Sequence, residues 1–197
     1  MININSLDKL IEDSENEILN IRPDTEKKII WANQNKVKTK ISLIFIHGFS
    51  ATRAELDPVI EMLGKELNAN IFFTRLRGHG LDGEALAEAT FDDWMIDTKE
   101  AIDIGNAIGD SLILIGCSTG CSLIHANLQY TENALAIIYV SPNFGPKSFF
   151  GQLLRIPGAK WFIPFIFGKE YSFVPRNADH ARCWTTSYPI KALFAVK

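Results

Sequence analysis

The chain has 197 residues, 47% hydrophobic and 22% charged, enough for one globular domain with a sizeable core. Twenty basic against 23 acidic residues give a net charge of -3 with no Lys/Arg run, which argues against a phosphate-backbone partner, so no nucleic acid is expected. The three cysteines form no disulfide framework, the N-terminal stretch is acidic rather than a signal peptide, and the most apolar run, Trp161 to Phe167, falls far short of the ~20 residues of a membrane span. A reduced, cytoplasmic protein without a transmembrane segment is expected.

Leu7, Leu10, Ile11 and Ile18, with Ser6 as N-cap, predict a short amphipathic helix that Arg22-Pro23-Asp24 ends. Lys28 to Ala32 reads as a strand and Asn33-Gln34-Asn35 as a turn; Lys40 to His47 reads as a second, more fully buried strand. A helix from about Arg53 to Leu67 then leads to a strand at Asn70 to Thr74, a glycine-rich loop and a helix through Asp93 to Ile108. The strand Ser111 to Ile115, a helix from Ser118 to about Leu128 and the strand Leu135 to Val140 follow. Continuous apolar strands alternating with helices predict an α/β fold, a mostly parallel sheet with helices on both faces. Residues 144 to 175 hold seven phenylalanines without that alternation, which marks an insertion on the sheet. The chain thus divides into an N-terminal helix and lead-in (1–27), a sheet core (28–143), an aromatic cap or lid (144–187) and the start of a further core element (188–197), all in a single domain.

Gly116-Cys117-Ser118-Thr119-Gly120 has the form G-x-S-x-G, follows the buried run SLILI and opens a helical segment, the setting of a nucleophile elbow. A sharp turn there lifts Ser118 to the carboxyl edge of the sheet, and side chains at the flanking glycines would strike the neighbouring strand and helix. His47-Gly48-Phe49-Ser50 ends the earlier strand. Acyl transfer needs two backbone N–H groups aimed at a developing oxyanion, and Thr119 and Phe49 are the candidates. His47 precedes the serine at a strand end, so it is read as shaping its loop. Gly78-His79-Gly80-Leu81-Asp82-Gly83 satisfies G-x-G-x-x-G, but Arg75 to Arg77 separate it from the strand, the helical pattern after it is short and Asp103 lies mid-helix. It is read as a rim of the active site.

Taken together, LIFIHGFS, Arg75-Leu76-Arg77-Gly78-His79-Gly80, Phe91-Asp92-Asp93-Trp94 and LILIGCSTG resemble the α/β-hydrolase superfamily, in particular its carboxylesterase and monoacylglycerol-lipase-like branch, over about residues 28 to 143. The resemblance implies a serine hydrolase of carboxylic esters with no cofactor, working through an acyl-enzyme on Ser118. In that architecture the acid and then the histidine follow the serine. Of the downstream histidines, His125 lies about 10 Å of axial rise along the elbow helix and His180 is adjacent to Asp179, a poor geometry for a dyad. The resemblance implies that acid and base follow two further strands, Tyr188 to Leu193 resembling the segment before the first, so a C-terminally truncated hydrolase fold lacking both is expected, with the strand Leu135 to Val140 an exposed edge prone to self-association. No metal-ligand spacing is present, and the cysteines are read as small buried hydrophobes. The aromatic segment falls where the family carries its cap, which favours lipid-like or medium-chain acyl esters and transient contact with a lipid surface. The competing reading is an inactive fragment or a non-catalytic module that binds a hydrophobic ligand.

Overall fold

Five apolar runs pair into one sheet in the computed structural model, which describes residues 2–145 and 152–196; residues 146–151 of the aromatic segment lie outside the described residues. The strands are β1 (Lys28–Ile30), β2 (Thr39–Ile46), β3 (Asn70–Phe73), β4 (Gly109–Cys117) and β5 (Ala134–Val140), in the order β1-β3-β2-β4-β5. All neighbours run parallel except β1, which is antiparallel to β3. Helix α1 (Leu7–Asn16) precedes β1, and α2 (Val59–Leu67), α3 (Gly83–Glu88), α4 (Phe91–Ile108) and α5 (Thr119–Ala126) lie in the connections between later strands.

The period-two alternation of a strand divides these apolar runs between two cores. Ile44, Ile46, Phe72, Leu112 and Leu114 pack with Leu7 and Ile11 of α1, Trp94, Ile102 and Ile108 of α4, and Leu123 and Ile124 of α5. Leu43, Phe45, Ile71, Phe73, Ile113 and Ile115 point the other way and pack on Ile60 of α2. Helices therefore cover both faces, and the expected α/β architecture is the one observed. At the carboxyl end of the sheet Ile46 lies opposite Gly116, so the loops that leave β2 and β4 emerge side by side.

Two elements differ from their sequence reading. The single helix expected from Arg53 begins as a 3-10 turn, Arg53–Leu56, and α2 starts only at Val59. Asp57 precedes Pro58 and is extended (φ -63°, ψ 139°), the conformation that proline imposes on its predecessor. The aromatic segment also holds more structure than expected. It contains α6 (Ala159–Phe167) and β6 (Glu170–Ser172), and α7 (Ala178–Cys183) then leads to β7 (Ser187–Pro189), which pairs antiparallel with β6 apart from the main sheet. Neither Glu170-Tyr171-Ser172 nor Ser187-Tyr188-Pro189 is the apolar run that marks the other strands. No helix among the described residues is long and apolar enough to cross a membrane.

Candidate active site

The turn between β4 and α5 holds Ser118 at φ 50°, ψ -111°, a conformation that a non-glycine residue adopts only when its surroundings enforce it. The enforcement is visible on both sides. Ser118 N–H donates to the Val140 carbonyl (2.9 Å), and the Ser118 carbonyl accepts from Cys121 N–H (3.1 Å) and Asn143 N–H (3.2 Å). A Cβ at Gly116 would stand 2.7 Å from the Cys121 nitrogen, and one at Gly120 would strike the Ile46 carbonyl of β2. Strand and helix approach this closely because both positions are glycine. Ser118 is partly exposed, and its hydroxyl has no hydrogen-bond partner among the described residues.

The loop after β2 lies against that turn, since a Cβ at Gly48 would be 3.1 Å from Ser118 Cβ. His47 is completely buried. Its Nε2 accepts from Leu76 N–H (3.2 Å), which leaves Nδ1 to carry the proton and donate to the Gly48 carbonyl (2.9 Å). Burial holds its pKa down at about 4, so the ring is neutral and both nitrogens are committed. Next along the loop, the Phe49 ring sits among His79, Trp94 and Tyr188, with centroids 5.2 to 6.0 Å away. The Phe49 N–H has no hydrogen-bond partner among the described residues. Thr119 heads α5, where an N–H has no intrahelical acceptor. Ser118, Phe49 and Thr119 are therefore brought together on two adjoining loops.

The loop Arg75 to Gly80 is fastened behind them. Arg75 makes a buried two-pronged pair with Glu15 (2.7 and 2.8 Å), Arg77 N–H donates to Asp97 (2.6 Å), and Trp94 Nε1 donates to the Arg77 carbonyl (2.9 Å). Sequence reasoning passed over Glu15 and Asp97, although a signal existed. Glu15 continues the buried stripe of Leu7 and Ile11, Asp97 that of Trp94 and Ala101, and a carboxylate on an apolar stripe calls for a partner. Glu55, whose carboxylate accepts from Gly48 N–H (2.6 Å), carried no such signal.

None of the four histidines hydrogen-bonds Ser118. His79 is fully buried against His47. On the exposed side of α5, His125 packs on Tyr139 and Phe144. His180 Nδ1 accepts from Arg176 N–H (3.1 Å), while its neighbour Asp179 pairs with Arg182 (3.6 Å). The cysteines are free and buried, and burial together with the nearby Glu55 carboxylate pushes the Cys117 thiol up to about 12, which disfavours a thiolate nucleophile. A cleft of about 590 Å³ opens beside Arg75 and Arg77 and does not include Ser118. Its three cationic side chains are each paired, Arg75 with Glu15, Arg77 with Asp93 and Lys27 with Glu100, so it reads as structural, and the strained serine remains the candidate centre.

A family model described as "Alpha/beta hydrolase family" matches residues 43–194. No curated protein matches the chain in sequence. Among solved structures, one of two metagenome-derived lipolytic enzymes aligns with TM-score 0.71 at 19% identity, over 89% of this chain and 68% of that one. Alpha/beta hydrolase domain-containing protein 10 from mouse aligns with TM-score 0.52 at 20% identity, covering 85% and 62%. A soluble variant of monoglyceride lipase from Saccharomyces cerevisiae aligns with TM-score 0.53 at 14% identity, covering 87% and 63%. The chain spans about two thirds of the length of these three structures, and at such identities the likeness is one of fold.

Proposed function

The chain belongs to the alpha/beta hydrolase family, and we propose that within it this protein is a serine hydrolase of carboxylic esters whose nucleophile is Ser118. The observation that carries this reading is the enforced φ 50° of Ser118, partly exposed and beside the loop of Phe49. Ser118 Oγ attacks the ester carbonyl, the N–H groups of Phe49 and Thr119 hold the oxygen as it becomes negative, and the alcohol leaves as the acyl-enzyme forms; water then releases the acid. Among the described residues, no histidine or carboxylate hydrogen-bonds the Ser118 hydroxyl to serve as its base. Lipid-like or medium-chain acyl esters suit the apolar cap, where Phe165 and Ile166 are exposed and offer a surface for transient contact with lipid. A cytoplasmic location accords with three free thiols.

The absence of a histidine bonded to Ser118 favours a second reading, a non-catalytic module that binds a hydrophobic ligand. Turnover of p-nitrophenyl esters of graded acyl length separates the two. Hydrolysis that peaks at medium chains and is lost in Ser118→Ala supports the hydrolase. Binding of a fatty acyl probe by folded protein without turnover of any ester supports the module.

A further inference from the structure

One carboxyl group beside the two loops has no place in the chemistry so far. Glu55, on the 3-10 turn before α2, directs Oε2 to Gly48 N–H at 2.6 Å. Its Oε1 and Ser118 Cβ converge on one face of Gly48, at 2.8 and 3.1 Å from where a side chain of that residue would begin. Against burial, which raises the Glu55 pKa, the Cys117 thiol, next to the serine in sequence, is among the groups that act to lower it.

We propose that Glu55 is a positioning residue for Ser118, its carboxyl group anchoring the Gly48–Phe49 segment so that the Phe49 N–H stays free for the oxyanion. The proposal rests on Ser118 being the nucleophile. A short hydrogen bond to Glu55 holds the Gly48 end of the segment, and three rings hold the Phe49 side chain at the other. Between these two points the Phe49 N–H is the one left unpaired among the described residues. A loop that paired this donor internally would have to break the bond when an oxyanion formed; a loop held by its neighbours incurs no such reorganisation. Burial is the first influence on the Glu55 pKa and raises it, with the Gly48 bond pulling the other way, and an acceptor oxygen faces Gly48 N–H in either protonation state. The role therefore belongs to the acceptor atom and not to the charge.

The test is the rate of inactivation by an alkyl fluorophosphonate, measured on folded full chain for wild type, Glu55→Gln, Glu55→Ala, Glu55→Met and Ser118→Ala. Glu55→Gln retains an acceptor for Gly48 N–H and is expected to label within about threefold of wild type. Glu55→Ala and Glu55→Met retain none, and should lose about tenfold or more in the maximal rate with the inhibitor's apparent affinity little changed, as for a displaced oxyanion donor. Two acceptor-free variants of different volume keep the comparison available should one fail to fold. Wild-type rates in both would overturn the proposal, as would Glu55→Gln falling as far as they do, while leaving Ser118 as the nucleophile. Wild type labelling no better than Ser118→Ala would overturn the nucleophile assignment and this proposal with it.

Discussion

At the scale of residues, the site is built by close approach. Gly120 lets α5 rest against the Ile46 carbonyl of β2, so Gly120→Ala is expected to cost about 1–3 kcal/mol or more, read as a lower urea midpoint. A second expectation concerns pH. Folding buries His47 neutral and lowers its pKa from 6.5 to about 4, so between those values the unfolded chain takes up a proton that the folded chain refuses. Stability from this group is intact above pH 6.5 and falls as the pH drops towards 4, by about 3 kcal/mol for a shift of this size. His79 works in the same direction. Glu55 and Asp97, whose pKa values burial raises, work against it, because their neutral forms favour the folded state. The stability gap between wild type and His47→Asn should therefore shrink from pH 7 to pH 4.5, and a constant gap would contradict the assignment. The G-x-S-x-G pattern made the turn at Ser118 legible in the sequence, because its glycines answer to local sterics. Glu55 was not legible, since its meeting with Gly48 depends on how the 3-10 turn folds back over the β2 loop.

At the scale of elements, caps and clamps hold the loops that surround the serine. Thr90 and Asp93 form a reciprocal capping box at the start of α4, and Trp94, one residue on, fastens the Arg77 carbonyl. Thr90→Ala is expected to lower stability by about 1 kcal/mol. Trp94→Phe removes one of two partners of the Arg77 carbonyl, His79 Nδ1 at 3.2 Å being the other, at about 0.5–1.5 kcal/mol. Both are checked by denaturant titration. The five strands of the sheet were readable because each is an apolar run between turn signals. The pairing of β6 with β7 was not, because neither Glu170–Ser172 nor Ser187–Pro189 is an apolar run and the pairing spans the whole of α7. The break before α2 was encoded in plain sight by Pro58, whose effect falls on the residue before it.

Across the whole molecule, Glu15 and Arg75 tie the N-terminal helix to the loop behind the site, 60 positions apart in sequence and nearly excluded from water. Removing one partner strands the other, so Glu15→Ala is expected to cost about 3–5 kcal/mol in a thermal or urea melt. At the opposite side of the sheet β5 is an edge among the described residues, with Leu135 65% exposed. Self-association through this edge is expected by sedimentation at micromolar concentration, and Leu135→Lys should reduce it. The central claim, that the turn presents Ser118 as the nucleophile, is tested most directly by treating the folded chain with a fluorophosphonate and mapping the adduct by mass spectrometry. One phosphonyl group on the peptide carrying Ser118, absent from Ser118→Ala, is the expected result. A folded protein that takes up no phosphonate, or takes it up at another residue, would contradict the claim.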